Sequence, residues 1–267
     1  YYANSQLPNL LLEQEALNLA KDSDVILFFG GLSDLAESEG FDRENMFLDA
    51  PQIHLMEKLV ELNKKIVFIM YGGAPFEIPC KENIDAMLYM NLPGQYGGEA
   101  LVKLLFGEVS PSGHLAFSWP ERYEDVPFGD KYAETPIELY KESIYVGYRY
   151  YSTAKKYVNF PFGYGLTYGK YHFENLKVKV NEEDIDITFT AENDGVPHVE
   201  AVAQIYVSKP DSKIYRPIKE LKTYARIVLK KGDKQIINLK IKLADMVVYD
   251  RKTGNDVLED GEYIIHL

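Results

Sequence analysis

The chain has 267 residues, 46% hydrophobic and 26% charged, which is enough apolar material for one large soluble domain or two ordinary ones. Its net charge of −12, from 41 acidic against 29 basic side chains, repels phosphate backbones and argues against a nucleic-acid partner. The lone Cys80 excludes an internal disulfide, and no apolar run is long enough to span a membrane.

In chain order, residues 9–21 show dense apolar spacing with interleaved charges and predict a helix. Val25-Ile26-Leu27-Phe28-Phe29 follows, ended by Gly30-Gly31, and is expected to be a strand buried on both faces. Residues 51–63 open on Pro51, favourable in a first helical turn, and carry Ile53, Met56, Leu59 and Val60 at helical spacing. Ile66–Met70 is a second apolar strand, ended by Gly72-Gly73, and Ala86–Met90 a third; Gly97-Gly98 opens a further helix through Leu101, Leu104 and Leu105. Helices alternating with all-apolar strands predict an α/β fold, a layered α/β/α sandwich with a largely parallel sheet.

After about residue 170 the period changes from helical to two. Ile185, Ile187 and Phe189 alternate with polar residues, and Ala203, Ile205 and Val207 alternate with Val202, Gln204 and Tyr206. Shorter runs at 227–229, 236–237 and 263–265 are separated by turn clusters such as Asn193-Asp194-Gly195 and Glu259-Asp260-Gly261. This spacing predicts an antiparallel β-sandwich over 171–267, after an α/β domain over 1–170 whose stretch 119–170 reads as an ordered connector.

Ligands of open α/β sheets bind outside the carboxyl ends of the strands. Beyond the first strand lies a polar, acidic stretch, residues 31–43, and the first place to look for chemistry. A carboxylic acid that donates a proton near neutrality needs a raised pKa, and neighbouring carboxylates or an aromatic shelter would raise it. Glu37, Glu39, Asp42 and Phe41 supply such neighbours, and Arg43 is expected to pair with Asp42 or Glu44 and brace the loop. The five histidines show no ligand spacing, so no metal site is expected. Gly97-Gly98 at a helix start reads as close packing, because Glu99 stands where an anion would bind. Tyr148, Tyr150 and Tyr151 read as packing between domains, with a sugar platform as the alternative.

Ser38-Glu39-Gly40-Phe41-Asp42-Arg43 resembles the acid/base loop of family 3 glycoside hydrolases. Further segments resemble that family in its order: Asp49-Ala50-Pro51-Gln52, Gly72-Gly73-Ala74-Pro75, Pro93–Ala100, Pro111-Ser112-Gly113-His114-Leu115, Tyr145–Tyr151 and Phe160–Tyr168. Arg216-Pro217-Ile218-Lys219-Glu220-Leu221 resembles its fibronectin type III-like domain. The resemblance departs at His114, where the family has Arg, and at Glu142-Ser143, where it has Glu-Gly. It implies a retaining hydrolase of β-linked glucosides or xylosides, working with two carboxylates and no cofactor. Carried over by position, Glu39 is the general acid/base, Phe41 lines the leaving-group side, and Asp42 and Arg43 are structural. The nucleophile is then an Asp on a (β/α)8 barrel. No segment here reads as eight βα units, so that barrel is an expected partner outside this sequence. A scaffold or carbohydrate-binding role is the competing expectation.

Overall fold

The computed structural model describes residues 7–40, 43–127, 136–137, 139–195 and 198–267. They fall into two compact units, one of residues 1–102 with 119–130, the other of 103–118 with 131–267.

The first unit holds α1 (Leu10–Lys21), β1 (Val25–Gly31), α2 (Ala50–Val60), β2 (Lys65–Tyr71) and β3 (Ala86–Asn91). The strands form a parallel sheet in the order β1-β2-β3. The Asn9 side chain accepts from the N–H groups of Leu11 and Leu12 at α1's start, and Pro51 stands in the first turn of α2. In β2, Ile66, Phe68, Ile69 and Met70 are all buried, as a central parallel strand requires.

β1 departs from the sequence expectation. Phe28 is buried, but Val25, Leu27 and Phe29 are 45%, 45% and 56% exposed. The side of β1 carrying Phe28 and Gly30 meets Gln52 of α2, while Val25, Leu27 and Phe29 on the other are only about half covered. A run of apolar residues states what a strand is made of, not whether a second layer is present.

β1 ends on a position only glycine fits. Gly31 pairs with Tyr71 and has φ of +149°; a Cβ there would lie 1.8 Å from the Tyr71 carbonyl oxygen. The next strand-end segment is packed just as closely. Phe76 and Trp119 are fully buried, their rings meet edge to face at 5.1 Å, and the Trp119 indole donates to the Phe76 carbonyl at 2.7 Å. α3 (Gly97–Leu105) follows β3, with Gly97 and Leu101 buried.

In the second unit, β4 (Tyr171–Val180), β5 (Asp184–Asn193) and β8 (Lys234–Lys242) form one antiparallel sheet in the order β4-β5-β8. β6 (Val199–Ser208), β7 (Glu220–Leu229) and β11 (Ile264–His266) form another, in the order β11-β6-β7. A two-stranded ribbon pairs β9 (Val248–Asp250) with β10 (Asn255–Val257). Ile185, Ile187 and Phe189 pack in one core with Ala203, Ile205, Val207, Ile227 and Leu229, so two inward faces build a β-sandwich. The period-two runs located β5 and β6 and the shorter apolar runs marked β7, β8 and β11; β4, whose second half is exposed, and the ribbon of β9 and β10 carried no such mark.

Motifs that stand apart in the sequence are joined here. Leu115 donates to the Tyr164 carbonyl at 2.9 Å, and Gly163 donates to the Leu115 carbonyl at 2.8 Å. Ser143 holds φ of +54°, a backbone that favours glycine, the residue the resemblance expects there. The tyrosines of α4 (Tyr148–Thr153) pack within this unit. Tyr148 stacks on Phe162 at 5.0 Å and accepts a hydrogen bond from the Leu221 N–H at 2.8 Å, and Tyr151 is buried.

Candidate active site

The loop between β1 and α2 is held at three points by side chains gripping backbone. At its start, the Gln52 amide binds both polar groups of Gly31: the Gly31 N–H donates to Oε1 and Nε2 donates to the Gly31 carbonyl, each at 2.8 Å. Further on, both oxygens of Glu37 accept from the Gly73 N–H, at 3.0 and 2.7 Å. Past the tip, Arg43 Nη1 donates to the Pro75 carbonyl at 2.9 Å. The expected brace is therefore present with a different partner. Arg43 grips the backbone that follows β2 rather than Glu44; Asp42 lies outside the described residues.

The receiving strip is itself fixed. Tyr89 donates its hydroxyl proton to the Gly72 carbonyl at 2.6 Å, the Gly72 N–H donates to the Asn91 carbonyl at 3.2 Å, and Trp119 holds Phe76. Burial pushes the Tyr89 hydroxyl up to about 12, helped by the negative charge of Glu37, so it stays a proton donor. Burial lowers the Arg43 pKa, while the negative charge of Glu37 works the other way.

Glu39 stands in sequence between the Glu37 and Arg43 anchors, in a turn with Gly40, whose φ is +97°, and it is exposed. The aromatic shelter expected from Phe41 lies outside the described residues. Glu37 shares the loop with Glu39 but points both oxygens at Gly73, so it is spent on structure. An exposed carboxyl group at the tip of a braced loop can reach a ligand beyond the carboxyl end of β1. Retaining glycoside hydrolysis needs a second carboxylate about 5–5.5 Å away.

Other groups singled out in the sequence do not join this site. His172, Glu174 and Glu192 bring ligand atoms within 4.8 Å of one another on the sandwich. The Lys234 ammonium bonds Glu174 at 2.7 Å and Glu192 at 2.8 Å, and so stands where a cation would. Cys80 is half-buried, and burial first, then Glu57, raises its thiol pKa, which disfavours the reactive thiolate. Gln52 and Glu37 are the loop's holders that the sequence pattern did not assign. The signal was there in part, since Gln52 belongs to the Asp49–Gln52 segment of the resemblance.

Comparison with known proteins decides the family. The Glycosyl hydrolase family 3 C-terminal domain matches residues 5–168, and a Fibronectin type III-like domain matches residues 201–267. The chain belongs to glycosyl hydrolase family 3. A beta-glucosidase of Kluyveromyces marxianus is 35% identical over 255 residues, covering 94% of this chain and 30% of that protein. An exo-alpha-(1->6)-L-arabinopyranosidase of Bifidobacterium breve is 36% identical over 261 residues, covering 96% and 34%. The crystal structure of the Kluyveromyces marxianus beta-glucosidase in complex with glucose superposes with a TM-score of 0.92 at 33% identity, over 97% of this chain and 32% of that one. The family 3 chain described here thus spans about a third of the length of these relatives. Among its described residues no helix is long and apolar enough to cross a membrane.

Proposed function

We propose that this chain supplies the general acid/base of a retaining β-glycosidase, and that Glu39 is that residue. The observation that carries the reading is the braced strand-end loop, which presents Glu39 to solvent between two anchors. In the first step the Glu39 carboxyl group gives its proton to the glycosidic oxygen as the sugar is transferred to a nucleophilic carboxylate. In the second it takes a proton from water, which attacks the anomeric carbon and releases the sugar with retained configuration. The nucleophile is an Asp on the (β/α)8 barrel that the family resemblance implies. The substrates are β-linked gluco- or xylo-oligosaccharides. Phe41 is assigned to the leaving-group side of the site, on the strength of the resemblance alone. By itself this chain is inactive, because a general acid contributes about 10²–10⁴-fold only to a sugar that something else holds and attacks.

The test uses the intact protein that carries this sequence, with Glu39→Ala alongside. For an alkyl β-glucoside, a poor leaving group, kcat/KM of the variant is expected to fall by about 10²–10⁴-fold. A dinitrophenyl β-glucoside, whose leaving group needs little protonation, is expected to lose far less. If the variant cleaves the alkyl glucoside at the parent rate, the acid lies elsewhere and the chain is a scaffold.

A further inference from the structure

Three side chains of the first unit reach from the loop after β1 and from α2 to backbone groups, but only Glu37 and Arg43 flank Glu39. Both anchors land on one short strip, Gly73 to Pro75, just beyond β2. Tyr89 and Trp119 fix this strip on either side, at the carbonyls of Gly72 and Phe76. A loop pinned at one flank could still pivot about the pin. With anchors on both sides of it bound to one strip, the turn at 39–40 has less freedom than either anchor alone would leave.

Glu37 also has a matched receiver. Gly73 lacks a side chain where one would collide: a Cβ there would lie 2.9 Å from Glu37 Oε1 and 3.4 Å from Leu92 Cδ1. The Gly73 N–H points between both carboxylate oxygens, a charge-assisted contact stronger than its neutral counterpart. Gly73 thus admits the Glu37 carboxylate, and the carboxylate holds the loop.

We infer that Glu37 is a positioning residue for catalysis: through the Gly73 N–H, and beside Arg43, it sets where Glu39 meets the leaving-group oxygen. The inference rests on Glu39 being the acid/base. Glu37 touches no reacting atom, so its loss acts only through the placement of Glu39. Misplacing a catalytic group by about 1 Å can cost about 10²-fold. That loss falls on substrates that need protonation and spares those that do not.

The experiment compares kcat/KM of the intact protein on an alkyl and a dinitrophenyl β-glucoside. For Glu37→Ala the alkyl-to-aryl ratio is expected to fall by about 10- to 100-fold. Glu37→Gln keeps an oxygen acceptor for the Gly73 N–H and is expected to recover part of the loss. Gly73→Ala leaves Glu37 in the sequence but crowds its Oε1, and is expected to shift the carboxylate against the N–H. The backbone of Gly73 needs no positive φ, and the obstructing atom is the end of a flexible side chain, so this variant is expected to fold. It is expected to lower the ratio in the same direction. A parent-like ratio in Gly73→Ala and in a folded Glu37→Ala, even with a lowered melting temperature, overturns the inference and leaves Glu37 a stability residue. Glu39→Ala in the same assay separates the two questions. If it lowers the ratio while the other variants do not, only the positioning role fails; if it does not lower the ratio, the assignment of Glu39 fails first.

Discussion

Charged side chains work differently in the strand-end loop and on the sandwich. On the solvent side of the sandwich strands several pair with one another. Lys240 bridges Asp184 and Asp186, Lys234 bridges Glu174 and Glu192, and Arg226 pairs with Glu200. In the loop, Glu37 and Arg43 instead bond to backbone groups of a second loop, and Gln52 does the same with an uncharged amide. A pair in water gains little, because solvent screens it and two long side chains must be ordered to form it. A side chain that satisfies a backbone group fixes a conformation. These exposed sandwich pairs decorate a surface; the side chains that hold the loop define a shape.

Substitutions can break this contrast at several depths. The largest effect on stability is expected beneath the loop. Phe76 is fully buried between Phe68 and Trp119, so Phe76→Ala should cost about 3–5 kcal/mol by denaturant unfolding. A cost under about 1 kcal/mol would show that the strip beyond β2 is not the packed base described here. Gln52→Ala comes next. It leaves the N–H of buried Gly31 without its side-chain acceptor, at about 1–3 kcal/mol, and should loosen the loop at its origin. Faster hydrogen exchange at Gly31 and the residues after it checks this; unchanged exchange contradicts it.

The smallest effect is expected on the sandwich. Lys240→Ala should leave the melting temperature at neutral pH nearly unchanged, in low salt and in high. Its hydrogen bond to Asp184, and the Asn181 and Lys240 hydrogen bonds to Asp186, hold both carboxyl groups below the ordinary range. A depressed folded-state pKa contributes stability above the unfolded pKa and loses it as pH falls through the folded value. Any small gap between Lys240→Ala and the parent should therefore close in acid. A gap that widens there would contradict the pairing.

The strands and helices that were legible carry local signals. Period two marked Ile185–Phe189 and Ala203–Val207, and continuous apolar runs marked β1, β2 and β3. The half-covered side of β1 was not legible, since Val25, Leu27 and Phe29 look alike whether covered or not. Within the site, the position of the loop and of Glu39 in it followed from the end of β1 and from the resemblance. The holders did not. Glu37 meets Gly73 from 36 residues away and Gln52 meets Gly31 from 21, and a backbone N–H leaves no mark on the residue type that supplies it. Likewise Arg43, expected to pair with Asp42 or Glu44, donates to the Pro75 carbonyl, a backbone group that its sequence neighbours did not indicate.

The most direct measurement of the central claim is azide rescue of Glu39→Ala in the intact protein, with dinitrophenyl β-glucoside as substrate. Without its base the variant should form the glycosyl-enzyme and then stall, because water is no longer activated. Azide needs no base, so it should restore turnover and yield the β-glucosyl azide, identified by the anomeric coupling in its proton spectrum. No acceleration by azide, together with parent-like hydrolysis of the alkyl glucoside, would contradict Glu39 as the acid/base.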